Sequence, residues 1–462
     1  MKVPVGLKPW WILLAVSSLQ WGTYFVYDLP ATLSVPLQLH LGLSASQFAY
    51  LVSALYAAYC IPNTISPFFS GFAVHRYGER SILLATAVSI ISGQLIFCLA
   101  IQTGVWSVMI LGRTLVGLGG EISTVLATNI ATRWFRDGQI SLALALMTGT
   151  WQLGTVTNSI LTPRLVQAYG VLCANWIGSA LSMGILVLAT CQLLTSNAAA
   201  GPHVPEKLLA TDIQAQVETP SIRQFPRVYW QIVVVAMLGY GATNTFPNSA
   251  QRFLASRFYQ GDQSAAGSVM GIPHIISCLF LPLFGFLLDH PHWIGNPPSA
   301  LLLANVLLAL VHLSFLSSLS SPVLPLCLLG LALALYSAAL WSGLARCVLQ
   351  ADHITPRPQK THPHSPLPDD PSAPYDSAYG TFTPPHDTGE DTNANKPTPT
   401  GEGGVTALGY GIVTSVLNTS TAVVSLLLGL VENAAGFDGL EVVFVGLALA
   451  GAVACVSLGR MW

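Results

Sequence analysis

"GFAVHRYGER" (Gly71 to Arg80) and "GFLLDHPH" (Gly285 to His292) decide the fold, because each closes a long apolar run and each occupies the same place in its half of the chain. A helix needs about 20 mostly apolar residues to cross a bilayer core. Twelve such windows run from Trp10 to Leu37 through Leu440 to Leu458, and the two motif copies end the second and the eighth. Six windows precede the polar, proline-bearing stretch Thr195 to Phe225, and six follow it. Symmetry of this kind between halves marks a membrane bundle built from a repeat. The expectation is an all-α membrane protein of twelve transmembrane helices in two pseudo-symmetric six-helix bundles, residues 1–195 and 227–462, joined by a cytosolic linker, 196–226. The stretch 350–404, rich in Pro, Thr, Asp and His, lacks the aliphatic runs that bury a core, and a disordered cytosolic loop is expected there.

Composition agrees. The 462 residues are 52% hydrophobic and 8% charged, against about 25% charged in soluble domains. Eighteen basic against 20 acidic side chains leave no electrostatic footprint for nucleic acid. The eight cysteines are scattered through apolar runs with no C-x-x-C pair, so neither a metal site nor a disulfide framework is expected, and no cofactor. No nucleophile and base pair or P-loop appears, which argues against an enzyme and against ATP-driven work by this chain alone. Met1 to Pro30 begins like a signal peptide, with Lys2 and Lys8 before an apolar run. It lacks a small-residue cleavage site and continues past signal length, and it reads as a retained first span. With the N-terminus in the cytosol, fourteen of the 18 basic residues fall on that side and only Arg164, Arg252 and Arg257 on the other. This obeys the positive-inside rule and predicts that both termini are cytosolic.

The eighteenth base, Arg113, lies within the fourth span, as does Glu121, in "LGRTLVGLGGEISTVLATNIATRWF" (Leu111 to Phe135). An ionisable group at membrane centre costs roughly 2.5 kcal/mol or more, so it faces a cavity or a partner. Eight residues separate the two, about 80° around the axis and about 12 Å along it, so they share a broad face and do not touch. Gly117, Gly119 and Gly120 strip side chains from the helix just before Glu121, which lets a ligand or a neighbouring helix approach. Glu121 is therefore the leading substrate-binding residue. Arg113 reads either as a cap on backbone carbonyls or as a coupling residue. Asp28, beside Pro30 in "YFVYDLPATL" (Tyr24 to Leu33), lines a cavity with Tyr24 and Tyr27 or caps a helix that Pro30 opens. Pro62 with Asn63, and Pro247 with Asn248, are read as further helix interruptions, with Asn63 a polar contact. His274 and His312 read as bundle residues. "NTS" at Asn418 lies inside a span, where no N-glycan is expected.

The first motif copy resembles the major facilitator superfamily loop G-x-x-x-D-R-x-G-R, with Gly71, Arg76 and Gly78 in place, His75 at the aspartate position and Glu79 at the last arginine's. The second keeps Gly285 and Asp289. Arg113, Gly117 and Gly119 resemble that superfamily's fourth-helix pattern R-x-x-x-G-x-G. Within it, "YFVYDLPATL", "YCIPN" (Tyr59 to Asn63), "GLGGE" (Gly117 to Glu121), "ATRWF" (Ala131 to Phe135), "TFPN" (Thr245 to Asn248), "ALW" (Ala339 to Trp341) and "GYGIVTSVLNT" (Gly409 to Thr419) together resemble the lysosomal dipeptide uniporter branch. The resemblance implies the major facilitator fold and a loop latching the outward-facing state, which His75 is expected to weaken or make pH-dependent. It also implies a glutamate, here Glu121, for the substrate amino group, and cavity positions for Trp341 and Asn418. Relatives' arginine for the carboxylate falls at Gln152, which brings hydrogen bonds without charge. Either Arg164, about three helical turns beyond Gln152, meets the carboxylate, or the substrate lacks one; Arg164 itself reads as interfacial.

The expected activity is alternating-access transport of a small molecule, with a dipeptide as the specific substrate. It would move down its gradient to the cytosol across a lysosomal or vacuolar membrane, the plasma membrane being the alternative. Membrane lipid surrounds such a carrier, and relatives associate with a glycosylated single-span accessory protein that the short luminal loops here would suit. The competing readings are a proton-coupled carrier of amino acids or organic acids, with Glu121 or Asp28 carrying the proton, and a non-transporting sensor or scaffold acting through the proline-rich loop.

Overall fold

The computed structural model describes residues 8–135, 138–196, 220–290, 296–317, 321–354 and 404–462. Most of the expected linker and nearly all of the expected proline-rich loop lie outside the described residues. The elements are α1 (Lys8–Thr32), α2 (Ser34–His40), α3 (Ala45–Tyr77), α4 (Glu79–Thr103), α5 (Trp106–Trp134), α6 (Ile140–Thr195), α7 (Arg227–Phe258), α8 (Gln263–Met270), α9 (Ile272–Asp289), α10 (Pro297–Leu316), α11 (Val323–Ile354) and α12 (Gly404–Met461). Both α6 and α12 are two rods, turning back at Gly170 (φ 79°) and Gly436 (φ 67°), in a region L side chains rarely adopt. With α8 and α9 stacked across Gly271, the described residues form twelve rods of membrane-spanning length, six in each half.

Two expectations about breaks change. The first span is not one rod: it stops at Thr32 and resumes as the short α2. The prolines do not themselves end the helices, since α1 stays helical through Pro30, α3 through Pro62 and Pro67, and α7 through Pro247. A proline ring removes one donor but still fits a helix in a bundle where other groups satisfy the freed carbonyl.

The halves close against each other at the end that carries both chain termini. There α3 packs on α12, and α6 on α9. The two motif copies make these contacts. A Cβ at Gly71 would lie 2.5 Å from Leu408 Cβ, and one at Gly285 would lie 2.5 Å from Ala145 Cβ, so both glycines exist to let backbones meet. Asp289 accepts from the Ser141 and Leu142 amides at 2.9 and 2.8 Å, capping the start of α6 across the interface. Its counterpart in the first copy, His75, lies beside Gly404 at the start of α12, and its buried Nδ1 has no hydrogen-bond partner. The two copies therefore differ: in the second a carboxylate caps the facing helix, and in the first an imidazole stands in its place. Gly78 takes φ 79° to turn α3 into α4, Arg76 is exposed over the Tyr77 ring, and Glu79 pairs with Arg133 and Asn129 within its own half.

The apolar core divides accordingly. One cluster runs through both halves at the terminal end, joining Val74 and Leu144 to Leu288, Leu344 and Leu408. Towards the other end each half keeps its own cluster, around Phe25, Leu51 and Phe97 in the first and around Phe246, Phe315 and Phe444 in the second. Two bundles fused at one end and separately packed at the other enclose a cavity between them.

Candidate functional site

That cavity is walled by both halves. Helical spacing decides which residues reach it. From the first half come Gln20 and Tyr24 on α1, Glu121, Thr124 and Thr128 on α5, and Thr148, Trp151 and Gln152 on α6. The second half contributes Tyr240, Thr243 and Asn244 on α7, His274 on α9, Ser337 and Trp341 on α11, and Thr414 and Asn418 on α12. Steps of three and four residues keep each set on one helix face.

At its floor, Trp341 packs on Tyr410, with ring centroids 6.3 Å apart. Below them the halves are tied by Thr132 Oγ1 and Tyr410 OH at 2.5 Å, and by Ser141 Oγ and Ser342 Oγ at 2.6 Å. Glu121 lies eleven residues before Thr132, about 16 Å from that seal. Along one wall Tyr24 stacks against Trp151 at 4.6 Å. Gln20 Nε2 donates to the Ser123 carbonyl and its Oε1 accepts from Thr124 Oγ1, fixing the helix that presents Glu121. Among the described residues, the Glu121 carboxyl has no hydrogen-bond or ion-pair partner. The neighbouring glycines serve helix packing rather than a ligand, since Gly117 faces the Tyr59 carbonyl and Gly120 the Tyr59 hydroxyl.

Glu121, Gln152, Trp341, Asn418 and Tyr24 thus meet in one cavity, whereas Tyr27, Asp28 and Asn63 lie outside its lining. Arg113 accounts for two of these. It is fully buried, donates Nη1 to the Val26 carbonyl at 3.1 Å and Nη2 to the Tyr27 carbonyl at 2.9 Å, and sits among the rings of Tyr27, Tyr56, Tyr59 and Phe97. Val26 is four residues before Pro30, so its carbonyl is the one that proline strands. Arg113 supplies the missing donor, with Asp28 as a nearby acid. Asn63 repeats the theme. It lies four residues before Pro67, and Asn418 Nδ2 reaches across from the other half to donate to its carbonyl at 3.0 Å. Asn418 thereby bridges the halves as well as lining the cavity.

Gln152 Oε1 accepts from the Cys278 thiol at 3.4 Å, another link across the halves. Arg164 is exposed and is not part of the lining. His274, read from sequence as a bundle residue, lines the cavity instead; Tyr240, Asn244 and Trp151 were not anticipated. Their i, i+3, i+4 spacing was the available signal, but an apolar helix in lipid offers no polarity contrast to say which face points inward. His312 pairs with Glu441 at 2.7 Å, both buried, in the second half's separate core. No group of three metal-ligating side chains occurs among the described residues.

A family model described as Major Facilitator Superfamily matches residues 10–351. The Lysosomal dipeptide transporter MFSD1 of Bos taurus is 26% identical over 461 residues, covering 97% of this chain and 83% of that protein. The Homo sapiens protein of the same name is 25% identical, covering 97% and 84%. Among solved structures, the transporter FucP in its outward conformation superposes with TM-score 0.64 at 11% identity, covering 96% of this chain and 98% of that one. The human organic anion transporter MFSD10 gives 0.66 at 15% identity, covering 97% and 99%. Twelve rods in two repeats, a motif that seals one end and a polar cavity between the halves are what this family's match predicts, and the chain belongs to the Major Facilitator Superfamily as a multi-pass membrane transporter.

Proposed function

We propose that this transporter carries dipeptides by rocking its two halves, residues 1–195 and 227–462, about the central cavity. The single observation that carries the reading is Glu121, an acid without a partner on the wall of a cavity shared by both halves. A buried carboxylate without a counter-ion is costly, and a substrate ammonium relieves that cost while bound. The MFSD1 relatives, named lysosomal dipeptide transporters, supply the substrate class. Gln152, Asn418 and Trp341 border the same space and would orient and enclose the peptide. Asp289, Gly71 and Gly285 hold the terminal end shut in this state, so the substrate enters from the opposite end, and with the termini cytosolic that end is the lumen of a lysosome or vacuole. Export to the cytosol then needs no second ion.

Labelled dialanine flux into proteoliposomes tests this. Wild type is expected to equilibrate dialanine without a proton gradient, and Glu121→Gln to lose at least about tenfold in flux, from one charge-assisted bond. Unchanged flux in Glu121→Gln ends the assignment. The same isolation of Glu121 favours one second reading, proton coupling, because a carboxyl with no cation beside it can take a proton; flux that collapses with a dissipated gradient would establish it.

A further inference from the structure

We propose that the second half of this chain holds the substrate's carboxylate, through His274 on α9 with Asn244 on α7. The inference rests on the dipeptide reading above and assigns the end of the peptide that Glu121 leaves unbound.

The cavity is polarised. Among the described lining residues the one carboxyl, Glu121, belongs to the first half. Among the described lining residues no arginine or lysine appears, and the single basic side chain is His274, on the second half, whose ring N–H donates whether or not the ring is charged. Tyr240 and Asn244 are one helical turn apart on α7 and their side chains meet, but Tyr240 also lies within electrostatic reach of Glu121, which leaves Asn244 and His274 as the donors for the anion. An amide and an imidazole on this wall offer donors to an anion, and among the described lining residues no acid belongs to the second half. Gln152 is a poorer anchor because its oxygen faces the Cys278 thiol and its helix carries the wall beside Glu121. A zwitterion placed with its ammonium at Glu121 and its carboxylate at His274 spans the two halves. Its binding energy therefore draws together the ends of the bundles that are packed separately here, which is the closure a rocking carrier needs.

Competition against labelled dialanine, using unlabelled dialanine and its C-terminal amide, tests the assignment. The amide keeps the ammonium and lacks the anion. Wild type is expected to prefer the acid by roughly tenfold, the worth of one hydrogen bond to a charge. In His274→Ala the acid should weaken by about that factor while the amide shifts less than about twofold, so the preference collapses; Asn244→Ala should narrow it in the same direction. Thermal-shift titration of the purified variants with both ligands gives the same comparison if a variant binds without transporting. A preference that survives in both variants, or acid and amide weakened equally, overturns the carboxylate site. Failure of the dipeptide reading looks different: wild type then binds neither compound, and Glu121→Gln changes nothing.

Discussion

If Arg113 replaces the donor that Pro30 lacks, restoring that donor makes the arginine partly dispensable. In wild type, Arg113→Met strands the Val26 carbonyl completely, because the residue four positions on is the proline. A buried carbonyl without a partner costs about 1–3 kcal/mol. The Tyr27 carbonyl is affected less, since Ala31 retains an N–H in helical position. Pro30→Ala alone should be mild, because the new N–H and the guanidinium then share Val26. In the double variant the N–H that Pro30→Ala restores satisfies Val26 without Arg113, so the cost of Arg113→Met should fall by about 1–3 kcal/mol. Contacts with the Tyr27, Tyr56, Tyr59 and Phe97 rings are lost in both backgrounds and cancel from the cycle. The eleven tryptophans provide the fluorescence signal for unfolding titrations with denaturing detergent in mixed micelles. A coupling energy below about 0.5 kcal/mol, within ordinary additivity, would refute the capping role.

Asp289→Ala removes two backbone caps between the halves and should weaken closure at the terminal end by about 0.5–2 kcal/mol, read as faster thiol labelling of a cysteine introduced at that end. Gly411→Ala puts a Cβ against the Pro67 carbonyl, where there is no room for it, and should shift the protein away from the state closed at this end, with the same labelling as readout; unchanged labelling would count against the closure described. His312→Ala should destabilise by about 3–5 kcal/mol because it strands the buried Glu441 carboxyl, whereas exchanging both members for apolar residues of similar volume should recover most of the loss. The unfolding titration used for Arg113 reads both changes.

Much of the architecture was legible because a bilayer demands long apolar runs and admits few alternatives to helices. The two motif copies were legible for a related reason: glycines at bundle contacts cannot be replaced without separating the backbones. The prolines were legible only in part. Sequence shows that Pro30 and Pro67 each remove a donor, but what happens to Val26 and Asn63 depends on Arg113 and Asn418, which are 87 and 355 residues away. Asp28 misled for the same reason, since its neighbour Arg113 is explained only once that carbonyl is located.

Glu121 illustrates the division most clearly. Its charge and its depth in an apolar span were readable from the chain, and they sufficed to single it out. That it faces an open cavity without a cation, while Arg113 on the same helix turns to a proline-stranded carbonyl, was decided by the packing of α1, α3 and α6 around α5. Sequence by itself determined the twelve spans, the repeat and the acid at the centre, because these follow from hydrophobicity and from residue types that lipid tolerates poorly. Only the tertiary structure decided which end is closed, which polar groups cap backbone and which, like His274, face the cavity, because rotation of a helix about its axis is set by its neighbours and leaves almost no trace in an apolar sequence.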